Sequence, residues 1–459
     1  MEITDLRHVQ KYLPNNGKVL VLDTGAVITP EADAMLQALH SRSVGGVSKH
    51  LEKLAQKGPK QFMDTYYVGY GDKSIGDCGS TTIFIEGVSM LVAKAIQDFQ
   101  LYNGQESSTR YIDFSEQPFA NPEGSERGYQ VLENLRAFHL HGLAVMKKKL
   151  AELHPWDKIE EEKVWQKAIN ARAFDIMRSF LPAGASTNLA WHTTLRQAAD
   201  HLLRLRNHPL SEVRVVAGAI EGALDEMYPS SFKQKRYEKT EAYVETWMQT
   251  YYFNFDSREA ERLQSERVVL ERDSLDYNLL QSYEQELSER PPKAEPPKYI
   301  AECGTMRFSF FLDFGSFRDL HRHRAVVQRM PLLTDQWGFE EWYLTQMPEP
   351  LREEARTLLK EHSASLEELA LSSLTRQYYL PMGYKVACRL TGDLAGLLWL
   401  TELRSGIAVH PTLRVIAQDI GGILQKKCEP LNIAVHLDTS KDRFNLKRGT
   451  HDIVEKVVR

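Results

Sequence analysis

The chain has 459 residues, and its 57 Lys and Arg against 62 Asp and Glu give a net charge of −5. With 42% hydrophobic residues it has enough apolar material for a packed core, which excludes a globally disordered protein. The acidic balance excludes proteins that coat nucleic acid, because these need a large excess of cations. There is neither a run of apolar residues long enough for a membrane span nor a signal-peptide pattern, so we expect a cytoplasmic protein without membrane or nucleic-acid partners.

The N-terminal region predicts a short strand, a glycine turn and a helix that begins near Thr29 and Pro30. The turn contains Asp23-Thr24-Gly25, the tripeptide of aspartic proteases. Those enzymes share a proton between two carboxylates, and the chain has no second copy of the tripeptide. A structural turn is therefore the favoured interpretation.

An internal repeat organises the rest of the chain. A shift of 200 residues superposes Arg204 on Arg404 and Arg214 on Arg414, within apolar residues at helical spacing. We predict an α+β protein of two tandem units, each a small sheet flanked by helices. The predicted division is a first unit at 1–228, a charged linker or helical insertion at 229–297, and a second unit at 298–459. The proline-rich end of the middle segment cannot continue a helix.

One polar cluster lies in each predicted unit. The second unit contains Arg318-Asp319-Leu320-His321-Arg322-His323-Arg324, and the first contains Glu106-Ser107-Ser108-Thr109-Arg110-Tyr111. Guanidinium forks, hydroxyls and backbone N–H groups suit phosphate binding. Taken alone, the cluster at 318–324 also fits a salt-bridged helix end. The cluster at 106–111 also fits a polar turn with capping serines. No metal site is predicted, because His321 and His323 lie on different faces of a helix and the cysteines are far apart.

Together the two clusters resemble the signature of the flavin-dependent thymidylate synthases, an RHR motif followed by ExSxRY. Arg322-His323-Arg324 matches the front of this signature, and residues 106–111 match its back. The first unit has Asp98-Phe99-Gln100 where RHR would stand. In the family, the RHR motif of one subunit of a homotetramer faces the ExSxRY motif of another. The resemblance implies that a fused pair keeps one competent site with one motif from each unit, and that the chain forms a homodimer equivalent to the tetramer.

The resemblance also implies roles for individual residues. Arg404 matches the arginine that promotes ionisation of the uracil ring and is the expected catalytic residue. The expected flavin contacts are Arg322, His323, Arg324, Glu302, Ser74 and Glu106. The expected nucleotide contacts are Glu106, Ser107, Ser108, Thr109, Arg110, Arg178, Arg322 and Arg404.

The implied reaction transfers a one-carbon unit from methylenetetrahydrofolate to C5 of dUMP, with reduced FAD as hydride donor and NADPH as the flavin's reductant. The sequence departs from the family pattern at Asp319, which replaces a glutamine, at Asp72, which replaces a histidine, and at Thr194 and Asp393, which replace an asparagine. Two alternatives remain open. One is a related flavin enzyme that uses another pyrimidine nucleotide or one-carbon donor, and the other is a scaffold or nucleotide-binding regulator without chemistry.

Overall fold

The fold was analysed in a computed structural model, which describes residues 7–14, 17–22, 29–42, 73–107, 109, 112–156, 158, 161–232, 236–255 and 260–440, with residues 56, 60 and 63. The tripeptide Asp23-Thr24-Gly25 lies outside the described residues. The strands are β1 His8–Tyr12, β2 Lys18–Leu22, β3 Ser80–Ser89, β4 Asn103–Glu106, β5 Ser186–Thr194, β6 Val268–Asp273, β7 Thr305–Asp313, β8 Val327–Arg329 and β9 Lys385–Asp393.

The helices vary from one turn to eight turns in length. They are α1 Pro30–Arg42, α2 Met90–Gln97, α3 Glu126–Leu153, α4 Glu162–Met177, α5 Leu195–Leu205, α6 Ser211–Met227, α7 Pro229–Phe232, α8 Glu238–Tyr251, α9 Tyr277–Gln281, α10 Glu284–Ser288, α11 Phe314–Leu320, α12 Glu341–Thr345, α13 Glu349–Glu368, α14 Ser373–Arg376, α15 Leu394–Arg404 and α16 Pro411–Cys428. Within the described ranges, none of them is both long and apolar enough to cross a membrane.

The described elements form two compact units, one of residues 1–120 and 184–252, the other of 121–183 and 253–459. The first unit has a five-stranded antiparallel sheet of order β1-β2-β3-β5-β4. The second has a four-stranded antiparallel sheet of order β6-β7-β9-β8. Helices accompany the sheet in each unit, so the predicted α+β class is confirmed.

The two units repeat the same order of strands and helices. Strands β5 and β9 each have nine residues, and the helices that follow, α5 and α15, each have eleven. These helices begin at Leu195 and Leu394, a shift of 199 residues, whereas α6 and α16 begin at Ser211 and Pro411, a shift of 200. The loop between the paired helices is therefore one residue longer in the second unit.

The structure divides the chain differently from the prediction in residues 121–183. These residues form the antiparallel pair α3 and α4, which lies in the second unit. The reason is a shared apolar core in which Met146 and Ile169, on this pair, cluster with Leu344 and Leu351, on α12 and α13. Burial of these side chains supplies the main attraction between the helices.

The predicted linker at 229–297 also differs from the structure. Its first part forms α7 and α8 in the first unit, where Arg206 forms ion pairs with Glu221 and with Glu241 of α8. Its second part carries strand β6, in which Val269 is buried, and helices α9 and α10 in the second unit. The high charge of the segment reflects ion-paired and exposed helix faces, which composition alone does not distinguish from a linker.

Candidate functional site

The RHR motif follows directly from the end of α11 in the second unit. This helix starts at the N-cap Asp313, whose Oδ1 accepts a hydrogen bond from the backbone N–H of Ser316 at 2.9 Å. An aspartate at this position satisfies one of the unpaired N–H groups of the first turn. The helix ends at Leu320, so that Arg322 extends into solvent with its side chain 61% exposed and His323 is half-buried.

His323 contacts the arginine that the sequence predicts to be catalytic. Nε of Arg404, the last residue of α15, lies 2.6 Å from Nε2 of His323. Burial, together with the charges of Arg404 and Arg322, lowers the pKa of His323 to about 3. The imidazole is therefore neutral, and its Nε2 accepts the hydrogen bond from Arg404. Among the described residues no group accepts a hydrogen bond from the Nη atoms of Arg404.

Asp319 is the carboxylate of this cluster. Its Oδ1 lies 3.5 Å from Nη2 of Arg322, and its side chain is 29% exposed. Burial raises the pKa of Asp319, but the charges of four arginines, those of Arg178, Arg322, Arg404 and Arg318, outweigh burial and lower it. Asp319 is therefore an ionised counter-ion in an arginine-rich environment.

Arg178 lies in the turn that follows α4 and is 8% exposed. Burial would lower its pKa, but the acidic side chains around it, Tyr343, Asp175, Asp319 and Asp313, raise the pKa above the ordinary arginine value. Its Nε and Nη2 atoms are buried and have no hydrogen-bond partner within the described part of the chain. A buried guanidinium edge with two unsatisfied donors matches the geometry of a carboxylate or phosphate ligand.

A buried polar network, which the sequence did not reveal, lies behind Arg178. Asp313 accepts hydrogen bonds from the Tyr343 hydroxyl at 2.8 Å and the Thr412 hydroxyl at 2.7 Å. His410, the N-cap residue of α16, is hydrogen-bonded to Ser316 Oγ at 3.1 Å. Burial raises the pKa of Asp313 and, helped by the charge of Arg178, lowers that of His410 to about 3. The spacing of Asp313 and Ser316 is a helix-cap signal, but nothing in the sequence indicates their depth.

The other predicted residues of the second unit lie around this cluster or apart from it. Arg324 is half-buried three residues before β8. Glu302 lies in the 3-10 turn Lys298–Cys303 and is exposed. Asp393 is the N-cap of α15, and its Oδ1 accepts a hydrogen bond from Gly396 N at 2.8 Å. This aspartate therefore has a structural role at a position where the family has a flavin contact.

The ExSxRY segment begins at the last residue of β4, in the first unit. Glu106, the last residue of β4, accepts a hydrogen bond from Gln97 Nε2 at 2.8 Å. Ser107 donates its backbone N–H to Asn188 O at 2.8 Å, and Thr109 is buried. Ser108, Arg110 and Tyr111 lie outside the described residues, as does Asp72. Ser74 lies in the described 3-10 turn Lys73–Asp77.

The first unit has an aromatic stack at the position equivalent to the RHR motif. Helices α2 and α11 begin at Met90 and Phe314, a shift of 224 residues, and the same shift pairs Phe99 with His323. The Phe99 ring stacks on His201 with centroids 4.5 Å apart, and the Arg204 guanidinium lies over the same ring at 5.6 Å. Arg204 thus contacts Phe99 as Arg404 contacts His323, in agreement with the predicted pairing of the two arginines.

Comparison with known proteins agrees with this picture. Residues 27–230 match the family model of the thymidylate synthase complementing proteins. Residues 27–230 are therefore similar to this family. The predicted resemblance is thereby confirmed. Curated relatives include a UPF0159 protein of Chlamydia muridarum, 25% identical over 403 residues and 76% of each chain. A UPF0159 protein of Thermoplasma acidophilum is 23% identical over 429 residues, which cover 79% of this chain and 85% of the relative.

Proposed function

We propose that this thymidylate-synthase-like protein binds FAD and a pyrimidine nucleotide and methylates dUMP at C5, with methylenetetrahydrofolate as the one-carbon donor and NADPH as the flavin's reductant. The observation that carries the proposal is the arginine cluster of the second unit. Arg178 has two buried donors without a partner among the described residues. Among the same residues, the Nη donors of Arg404 also have no acceptor. Such donors fit the phosphate and carbonyl oxygens of these ligands.

The residues of this cluster fit an anionic cofactor. Arg322 is largely exposed beside the neutral His323, so its guanidinium is accessible to a diphosphate. We propose that Arg322, His323 and Arg324 hold FAD, with Glu302, Ser74 and Glu106 as further contacts. Bound FAD would supply the hydride that completes the methyl group.

The fused chain is proposed to form a homodimer. Light scattering coupled to gel filtration measures this oligomeric state.

Arg404 is the group proposed to activate the uracil ring. Its Nε donates to His323, which fixes the orientation of the guanidinium, and its Nη atoms are available to donate to a ring carbonyl. Hydrogen bonds from a fixed cation to an oxygen on which negative charge develops lower the activation barrier. Arg178, Glu106, Ser107, Ser108, Thr109 and Arg110 are the proposed nucleotide contacts that orient the base before reaction.

The first experiment is an absorbance spectrum of the purified protein between 300 and 550 nm, followed by titration with FAD and then dUMP. A flavin spectrum that dUMP perturbs supports the proposal and leads to turnover assays with methylenetetrahydrofolate. A protein that is purified without flavin and binds none in the titration contradicts the proposal. That result favours the regulator or scaffold alternative.

Substitutions then test the assignment of residues. Arg404→Ala and Arg110→Ala are each expected to abolish turnover, because each motif is present once in the chain. Arg204→Ala is the matched control, since Arg204 stacks on Phe99 in the first unit, and it should retain most of the activity. Equal losses of activity from Arg404→Ala and Arg204→Ala would contradict the proposal that the chain has one competent site.

A second candidate function is a related flavin enzyme with another pyrimidine nucleotide. Asp319 favours it, because a carboxylate stands among the arginines where the family has a neutral glutamine. A binding panel of pyrimidine nucleotides distinguishes this candidate from dUMP methylation.

A further inference from the structure

Asp319 occupies a position at which the cluster meets solvent. It lies on the last turn of α11, and its carboxylate approaches Arg322, three residues later, to 3.5 Å. Its side chain is 29% exposed, whereas that of Arg322 is 61% exposed. A ligand that reaches Arg322 from solvent therefore comes close to the carboxylate as well.

The arginines around Asp319 interact with it as they would with a bound anion. The charges of Arg178, Arg322 and Arg404 all stabilise its ionised form. Conversely, Asp319 raises the pKa of Arg404, which burial and the charge of Arg322 lower. The carboxylate thus offsets the repulsion between the arginines when no ligand is bound.

We propose that Asp319 is a specificity-determining residue of the arginine site, a resident counter-ion that disfavours ligands bearing a dianionic phosphate monoester there. A phosphate monoester carries a charge of about −1.5 to −2 at neutral pH, and a carboxylate beside it in a partly desolvated site opposes binding by about tenfold or more. A neutral ligand group, or a diester with one charge, is opposed less. This inference rests on the proposed nucleotide site of the second unit.

The test measures the affinity of the full-length chain and its variants for dUMP, deoxyuridine and inorganic phosphate by calorimetry. Asp319→Asn removes the charge with little change of shape, and Asp319→Gln introduces the glutamine of the family. Both are expected to bind dUMP and phosphate about tenfold more tightly than the unaltered chain, with deoxyuridine changed by less than about twofold.

Two controls separate the local charge from other effects. Asp419→Asn changes the net charge equally but removes a carboxylate on α16, which pairs with the exposed Arg267. It should leave all three affinities unchanged. Asp319→Glu retains the charge and should bind dUMP like the unaltered chain. Thermal unfolding establishes that each variant is folded.

The outcomes are distinct for the inference and for the proposed function. Equal or weaker dUMP and phosphate binding by folded Asp319→Asn and Asp319→Gln overturns the inference. If no variant binds dUMP, but Asp319→Asn binds phosphate more tightly than the unaltered chain, the proposed function fails and the inference stands. If no variant binds phosphate or dUMP, both are overturned.

Discussion

The buried histidines predict that the protein loses stability in mild acid. In the second unit His139, His362 and His410 are each less than 5% exposed. Burial is the largest cause of their shifts and lowers the pKa of His139 and His362 to about 4 and that of His410 to about 3. In the first unit His201 and His208 are also buried, and their pKa values are lowered for the same reason.

The sign follows from proton uptake by the unfolded chain. A histidine has a pKa of about 6.5 when unfolded, so between pH 6.5 and pH 4 the unfolded chain binds protons that the folded chain does not. The stability that depends on neutral buried histidines is therefore fully present above pH 6.5 and decreases as the pH falls towards 4. At pH 5.5 each such histidine costs on the order of 1 kcal/mol, and the three in the second unit together cost a few kcal/mol.

Urea unfolding at pH 7.5, 6.5 and 5.5, followed by circular dichroism, measures this loss. His362, whose Nε2 lies 2.9 Å from Tyr379 O, is one suitable position. Its replacement, His362→Gln, is expected to lower stability at pH 7.5 but to reduce the decrease between pH 7.5 and 5.5 by on the order of 1 kcal/mol. His141→Gln is the control, because the His141 side chain is 55% exposed. A free energy of unfolding that is equal at pH 7.5 and 5.5 refutes the reasoning.

Three further predictions concern the network, a buried ion pair and ligand number. Tyr343→Phe removes the 2.8 Å hydrogen bond to Asp313 and should lower the free energy of urea unfolding by about 1 to 2 kcal/mol. An unchanged free energy would show that this bond does not stabilise the fold. Arg290→Met leaves the buried Glu402 unpaired and should cost about 3 to 5 kcal/mol, whereas an unchanged midpoint would show that the pair is dispensable. FAD titration should saturate at one flavin per chain, because an aromatic stack fills the equivalent position of the first unit. Two flavins per chain would contradict this.

One contact within the proposed site could be anticipated from the sequence. His323 and Arg404 are 81 residues apart, yet the family resemblance assigned both to one site, and they are hydrogen-bonded in the structure. The α+β class and the repeat were likewise predictable, because the apolar spacing of the helices recurs at a constant shift.

The placement of Arg178 could not be predicted from the sequence. The resemblance assigned it to the nucleotide, but the predicted boundaries put it in the first unit, whereas α4 and Arg178 belong to the second. An amphipathic helix shows which of its faces is apolar without showing which core receives that face. The burial of Asp313 and Tyr343 could not be predicted either, because the local sequence does not show which partners a polar side chain has.

The contrast between the two units locates where they have diverged. At the start of α2, Ser89 donates a hydrogen bond from its hydroxyl to Glu212 at 2.6 Å, whereas at the start of α11 Asp313 accepts one from Thr412 at 2.7 Å. The cap residue is the donor in the first unit and the acceptor in the second. In each unit the N-cap residue is hydrogen-bonded to the helix that packs beside it, α6 or α16, because a buried polar group left unpaired is costly. The RHR position shows no such compensation. There the second unit has the exposed Arg322 and the neutral His323, which accepts a hydrogen bond from Arg404, whereas the first unit has an aromatic stack that requires no anion. Matching hydrogen bonds at the caps, together with unequal charge at the RHR position, are what the proposed single anion site predicts.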